Sequence, residues 1–342
     1  LTIHLPGHYS ESLKKIHARF DEVIAESYDQ IPTMIPELAE VRPLRTTETE
    51  LPLWRQKTII SGDYELEERD PGEAIMDGAE QETRVHIFKT RLYSKKWSFP
   101  RQIIQSMGWG SIMGWAEERA QVFGEQLALK KEREFARLWN RGGFTAGDNQ
   151  FNNHVPGAPI QGIQNGLIFD GQPWFALTGN DHVNWIGTSY FNAVALALTE
   201  PNLRTVKTRL QATIAFDELD REFAQQATTI LVHPSQVDQA RAIVRAQALA
   251  GTDFNDANPH AGLEVISWNL LEDTDAWYLM ARQNRGAAGK GPRGVIVYDD
   301  DRVETWFEHD GNTDSFVYYA NAYMALGIWD WRTVVSSNLQ TS

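Results

Sequence analysis

Apolar positions fall into helical stripes in some stretches and into strand-like runs in others. Near the start, Leu13, Ile16, Phe20, Val23 and Ile24 make one stripe, with Ser10 or Ser12 before it as candidate N-caps. Pro32, Pro36 and Pro43 follow, and each disfavours helix in the residue before it. Ile31 to Leu53 is therefore expected to be extended and to lean on other parts of the molecule. The longest stripe runs from Ser111 to Arg141. Ile112, Trp115, Ala116, Ala120, Phe123, Leu127, Phe135 and Leu138 repeat at helical spacing, and Glu117, Glu118, Glu125, Lys130, Lys131, Glu132 and Glu134 cover the other side. Ser111 can cap it and Gly142-Gly143 ends it; about 30 residues at 1.5 Å each span roughly 45 Å. No strict heptad holds, and Gly114 and Gly124 lie inside, which predicts a long spine with one face on a sheet.

Strand patterns come next. Lys57–Tyr64 and Thr83–Tyr93 read as the arms of a hairpin, with Asp70-Pro71-Gly72 and Asp77-Gly78 as turn chemistry between them. Thr145–Pro173 reads as loop with short strands, and Tyr190–Leu198 and Leu203–Glu222 read as helical. A buried strand at Thr228–Val232 leads through His233-Pro234 into a helix from Ser235 to about Leu249, with Val237, Ala240, Ile243 and Val244 inward. Leu263–Asn269 and Ala276–Ala281 are expected to pair as strands, and Arg285–Gly294 to be a mobile glycine-rich loop. Gly294–Val335 has strand character, with a turn at Asp310-Gly311-Asn312. Separate helical and strand blocks make the expected fold class α+β.

Charge sharpens the hairpin. Asp63 to Glu82 holds nine carboxylates and one Arg, whereas Thr83 to Arg101 holds six Lys or Arg and no carboxylate. This fits either a solvated loop beside a solvated strand, or a projecting hairpin whose acidic tip docks on a basic surface of a neighbouring copy. The whole chain of 342 residues carries 46 Asp and Glu against 32 Lys and Arg, a net charge of -14, which argues against a general nucleic-acid binder. Its apolar runs fall short of the ~20 residues that span a bilayer. Leu1 opens the sequence without a signal-peptide pattern, which fits proteolytic trimming or a disordered segment before it.

Candidate chemistry is sparse. Zero cysteines exclude disulfides, thiolate metal sites and thiol nucleophiles. The RGAAGKGPRG stretch has Asn284 where a P-loop needs its first glycine and Gly291 where it needs Ser or Thr. Gly108 and Gly110 flank Trp109 rather than a serine, so there is no nucleophile elbow. No histidine pair has metal-binding helical spacing, and Asp299-Asp300-Asp301 reads as a charged turn between strands rather than a calcium loop. Twelve Trp with many carboxylates could suit a glycoside hydrolase, but the Trp are spread along the chain as core and interface residues are. No catalytic residue, cofactor or metal is expected.

The element order resembles a tailed-phage major capsid protein of the Hong Kong 97 fold, and most closely the Mu-type major head subunit family. TTILVHPSQVDQARAIV (228–244) is similar to the family's strand–Pro–helix element. DGQPWFALTGNDH (170–182) resembles its Asp-Gly to His-Pro segment, with Val183 in place of the proline. LEVISWNLLEDTDAWYLMA (263–281) resembles its strand–Asp–Trp–Tyr–Leu segment, and residues 302–338 resemble its closing strands. The resemblance implies an N-terminal arm (1–54), an E-loop hairpin (55–99), a P-domain with the spine helix (100–154), a mixed α/β A-domain (155–294) and closing strands of the P-domain (295–342). It implies a structural head protein, not an enzyme, that is assembled in the host cytoplasm and resides in the virion.

Its partners would be other copies of itself in hexamers and pentamers. Scaffold, portal and decoration proteins could join them, packaged double-stranded DNA would be touched weakly, and no membrane is involved. The resemblance also favours the docking hairpin, with Glu65, Glu67, Glu68, Asp70, Arg84, Lys89, Arg91, Lys95 and Lys96 as intersubunit contacts. Some relatives weld subunits through Lys–Asn isopeptide bonds at this loop; the Asp63–Glu82 tip has no Lys, so no weld is expected. An encapsulin-type nanocompartment shell is the alternative on the same fold.

Overall fold

Two five-stranded sheets and one long helix carry the fold of the computed structural model, which describes residues 7–45, 47, 50–62, 80–100, 102, 109–143, 168–246, 258–283, 285–286, 289–300 and 303–339. In chain order these residues form α1 (Gly7–Gln30), α2 (Ile35–Leu38), β1 (Glu40–Pro43), β2 (Trp54–Gly62), β3 (Glu80–Lys89), β4 (Arg91–Pro100) and the spine helix α3 (Trp109–Asn140). Then come β5 (His182–Val183), β6 (Ser189–Tyr190), β7 (Ala193–Val194), α4 (Glu200–Thr208), β8 (Thr229–Val232) and α5 (Val237–Arg245). The chain ends in β9 (Glu264–Ser267), β10 (Trp277–Met280), β11 (Val295–Asp299), β12 (Glu304–Asp310), β13 (Ser315–Ile328) and β14 (Val334–Ser337).

Strand β13 organises the first sheet. Along one edge it pairs antiparallel with β4, from Ser315 opposite Pro100 to Met324 opposite Arg91. Along the other edge it pairs first with β12 and then with β11, and β1 adds parallel to β11. Its alternation sends Phe316, Tyr318, Ala320 and Ala322 to one face, where they pack with Phe20, Val23 and Ile24 of α1 and Ala120, Phe123 and Leu127 of α3. Two alanines in a row of aromatic neighbours leave room for the helices to approach. Gly124 serves the same end on the spine: a Cβ there would lie 2.2 Å from Ser27 Oγ and 2.6 Å from the Ile24 carbonyl oxygen. Gly124→Ala should therefore lower subunit stability by about 1–3 kcal/mol in urea unfolding. Gly114, with open space around it, should gain up to ~1 kcal/mol on the same change.

The second sheet runs β7-β14-β10-β8-β9. Strands β8 and β9 are parallel and joined through α5, a crossover that explains why Thr229–Val232 is buried throughout. The largest apolar cluster fills the space around this sheet. In it Trp139 of the spine meets Trp174 at 4.8 Å and Tyr278 at 5.3 Å, and Phe175 stacks on Trp174 at 4.1 Å. Trp139, Trp174, Trp277 and Trp331 are fully buried, so these indoles fill core rather than a sugar cleft.

Several expectations are corrected. Ser10 and Ser12 lie inside α1, not before it. The supposed extended arm contains α2, begun by Pro36 at its first turn, and β1. Tyr190–Leu198 is not helical; it holds the end of β6 and all of β7. The second helical stretch begins at Glu200, capped by Thr199, passes through a π-turn at Arg209–Thr213, and is loop by Ala215. Thr83–Tyr93 is two strands broken at Thr90, where the backbone N–H bonds to the Leu53 carbonyl oxygen. Strands β9 and β10 do not pair, because β8 lies between them.

The described part of the glycine-rich loop is packed, not loose. Lys290 N–H bonds to the Pro36 carbonyl oxygen at 2.7 Å, and a Cβ on Gly291 would stand 2.2 Å from the Ala39 nitrogen. Lys131, Glu132 and Glu134 are buried rather than solvated. They lie where α3 passes under the N-terminal segment and the sheets, so helical spacing alone could not separate them from the exposed face. Glu132 accepts from the Met34 backbone N–H at 3.0 Å and from the Trp268 indole at 2.9 Å.

Candidate assembly surfaces

The β2–β3 hairpin forms its own two-stranded sheet, in register from Trp54 opposite Lys89 to Gly62 opposite Glu80, with a shift between Ile59 and Ile60. Glu65, Glu67, Glu68 and Asp70 lie outside the described residues. Of the cations assigned to intersubunit contact, two are engaged within the chain. Arg84 Nε donates to Glu218 at 3.0 Å and its Nη2 to the Val183 carbonyl oxygen at 2.7 Å. Arg91 lies 3.8 Å from the Glu134 carboxylate on the spine. Lys89 is half-buried, whereas Lys95 and Lys96 on β4 are exposed. Arg84 is thus a strap within the chain, while Lys95 and Lys96 have no ion pair among the described residues.

That strap has a second buckle. Glu218 also accepts from Arg332 at 2.8 Å, and Arg332 reaches Asp330 at 3.4 Å, all three being buried. One face of the hairpin therefore rests on the chain's own body. His86 and Phe88 are buried beneath it, His86 edge-on to Phe169 at 4.3 Å and Phe88 against Tyr298 at 5.8 Å. Neither ring nitrogen of His86 has a hydrogen-bond partner among the described residues. Burial pushes its imidazole down to about 3, with Arg84 and Lys57 adding to the effect and Asp170 opposing it. Lys57, opposite His86 in the register, sits 3.5 Å over the Trp329 ring. Burial holds its ammonium near 8, against the pull of Glu40.

The charged Asp299-Asp300 segment between β11 and β12 holds a buried ionic clamp. Lys131 Nζ lies 2.5 Å from Asp299 Oδ1 and donates to the Asp300 carbonyl oxygen at 3.1 Å and the Tyr28 hydroxyl at 3.2 Å. Arg45 bonds Asp300 at 2.8 Å and Glu304 at 2.5 Å. The segment interrupts the β11–β12 edge opposite β13, so the ladder gives way where the charges enter. Burial raises the Asp299 carboxyl, and Lys131 opposes that shift. Among the described residues no three His, Asp or Glu side chains converge as metal ligands.

Among the described residues the exposed large apolar side chains fall mostly in groups, with Val122 alone on the spine helix. Leu53, Trp54 and Leu92 are exposed around the base of the hairpin, Trp306 stacks on Tyr319 at 4.9 Å across the sheet, and Val183, Trp185 and Ile186 crown the β5–β6 turn. Reading the sequence alone misses the last group, because VNWIG carries no pattern beyond its Asn and Gly turn residues. No described helix is long and apolar enough to cross a membrane.

In overall fold the chain is similar to several solved structures. It is similar to a structure from Mycobacterium phage Patience at 11% identity, covering 94% of this chain and 86% of that one with a TM-score of 0.48. It is similar to the procapsid of bacteriophage JBD30 at 14% identity, over 97% of this chain and 76% of the other, with a TM-score of 0.47. The holo-SrpI encapsulin complex from Synechococcus elongatus stands at 12% identity, 91% and 90% coverage and a TM-score of 0.45. No curated protein sequence matches the chain. A family model described as phage capsid protein matches residues 93–337, well over half of the chain, from β4 through the spine helix and both sheets to the last strand. The chain belongs to the phage capsid protein family.

Proposed function

We propose that this chain is the major head subunit of a tailed phage, assembling in the host cytoplasm as hexamers and pentamers into an icosahedral shell around double-stranded DNA. The family match over residues 93–337 carries the reading. The layout supports it: a spine helix and a long central strand build a rigid plate, and the hairpin is a separate two-stranded sheet with one face laid on the body. In this division residues 1–54 are the arm, 55–99 the hairpin, 155–294 the axial domain, and 100–154 with 295–342 the peripheral domain. Strand β4 groups with the closing strands, to which it is hydrogen-bonded along its length. The role is structural, with no catalytic step.

The acidic stretch 63–82 would reach the exposed Lys95 and Lys96 of the next copy. Exposed pairs are worth only about 0–1 kcal/mol each, so this contact orients more than it binds. Negative-stain microscopy of the purified protein tests the central claim: closed icosahedral shells are expected, and a soluble monomer under all assembly conditions would overturn it. Reversing Glu65, Glu67 and Glu68 to Lys should lower shell yield most at low salt, where screening is weakest. Unaltered assembly at every salt concentration would remove the hairpin from the interface. Shells filled with protein cargo and lacking DNA would identify an encapsulin-type compartment instead.

A further inference from the structure

Where the hairpin crosses β1, four cations stand around a single carboxylate. Glu40 and Arg42 are two apart on β1, so both share the face of Tyr298, the register partner of Arg42, which packs against Phe88 of the hairpin. Lys57 comes from the opposite side. On β2 it is paired with His86 and shares the inner face of the hairpin with Arg55. Arg285 and Arg293 arrive from the glycine-rich loop, whose glycines let it lie against β1 and the end of β13. A Cβ on Gly289 would stand 2.6 Å from the Ala39 carbonyl oxygen, and Gly294 leaves no room for one beside the Asp330 carbonyl oxygen. In a chain of net charge -14 this local excess of cations runs against the whole.

Glu40 is buried and already shared. Its Oε1 accepts from Arg42 Nε at 2.5 Å, and its Oε2 lies 3.1 Å from Arg285 Nη1 and 3.9 Å from Lys57 Nζ. The Arg285 contact lies outside hydrogen-bond geometry, which leaves a buried Nη1 without an acceptor. Lys57 has no hydrogen bond among the described residues and rests 3.5 Å over the Trp329 ring. Arg293 is exposed, with no ion pair or hydrogen bond among the described residues, and its guanidinium lies 5.1 Å from the centre of the same ring. The nearby Glu37 does not help, because it holds Arg282 and Lys290. Burial keeps the Lys57 ammonium near 8; Glu40 supports its charge, and Arg42, Arg293 and Arg285 oppose it. Unused donors on three elements, with positive charge left over, are what a bound oxyanion requires.

We propose that Arg42, Lys57, Arg285 and Arg293 form a binding site for a phosphate group. Guanidinium forks and an ammonium converging from different elements suit a tetrahedral, multiply charged oxyanion. The glycine-rich loop serves here by its arginines and by the close approach its glycines allow, not by a cradle of backbone N–H groups. A phosphate at this place would tie the hairpin, β1 and the loop together. The site stands on these contacts alone and does not depend on the shell reading.

Isothermal titration of the purified protein with inorganic phosphate at pH 7, at fixed ionic strength in chloride, tests the proposal. One saturable site per chain is expected. Lys57→Met and Arg293→Ser should each weaken it about tenfold or more, the loss of one charge-assisted bond. In chloride alone Lys57→Met should melt no lower than the unmodified chain, since it removes an ammonium short of partners; a lysine with only a structural role would lower the melting temperature. Raising the pH from 7 to 9.5 should narrow the gap in phosphate affinity between the unmodified chain and Lys57→Met, because Lys57 then loses its charge. A short DNA duplex separates the sources of the group. Displacement of phosphate by the duplex would assign the site to the nucleic-acid backbone, and phosphate binding that the duplex leaves untouched would assign it to free phosphate. No saturable phosphate binding, or binding that both variants keep in full, would overturn the proposal.

Discussion

Replacing Lys131 by Met should destabilise the free subunit by about 3–5 kcal/mol, the cost of leaving a buried charge without its partner. The ammonium is 2% exposed and sits within 2.5 Å of Asp299. Methionine fills the same path under the sheet, so the loss would come from charge and not from a cavity. Adding Asp299→Asn should recover most of the deficit, because the double variant buries no unpaired charge. The single variant has a further signature. Burial already raises the Asp299 carboxyl, and without Lys131 it would rise further, so the folded form would hold a proton that the unfolded chain releases. The deficit relative to the unmodified subunit should therefore narrow as the pH falls. Urea unfolding at neutral pH and near pH 5 checks both points; a double variant no better than the single would show that packing, not charge, matters at Lys131.

Acid should loosen the subunit through His86. Its folded-state value is near 3, against an unperturbed 6.5, so between those limits the unfolded chain binds a proton that the native structure refuses. Stability is then fully present above about pH 6.5 and falls by roughly 1.4 kcal/mol per pH unit below it, or about 2–3 kcal/mol by pH 4.5. The groups that face the ring deepen the effect, since Arg84, Lys57 and Arg332 repel an added charge while only Asp170 favours it. His86→Leu should match or exceed the parent at pH 7.5, because it removes two buried nitrogens that lack partners. The same variant should show a flatter stability curve below pH 6.5. Thermal melts of the two proteins across pH 4.5–7.5 test this; parallel curves would exclude His86 as the acid-sensitive group. The hairpin is the element that lifts first, since His86 and Arg84 hold its inner face to the body.

What could be seen from the sequence follows the range of the interactions involved. The spine helix is legible to within two residues at each end, because its stripe spans many turns and Gly142 closes it. Strands β8 and β11 to β13 are legible for a similar reason: runs such as TILV and VIVYD have branched side chains and clear turn residues beside them. Partnerships were not legible. Nothing near Lys131 announces Asp299, which meets it from the far end of the chain. Nothing in Leu263–Ala281 says that β8 will come between its two strands. Tyr190–Leu198 has apolar residues at spacings that suit a short helix or a strand, and tertiary pairing with β14 decides for strand at Ala193–Val194. Charge segregation in the hairpin was visible, yet which cations remain free for another molecule depends on Glu218 and Glu134, remote in sequence from both.

The place of β13 in the order of synthesis has a consequence for quality control. It is the central strand of its sheet, bordered by β4 on one side and β11 and β12 on the other, yet it is synthesised after all three. Until it arrives, β4 has no partner strand, and the Phe20, Phe123 and Leu127 side chains have no sheet to cover them. A prematurely terminated chain thus lacks the plate on which any lattice contact would be displayed, and it would be cleared as an unfolded fragment. Such an arrangement lets only chains translated through β13 compete for places in a growing particle.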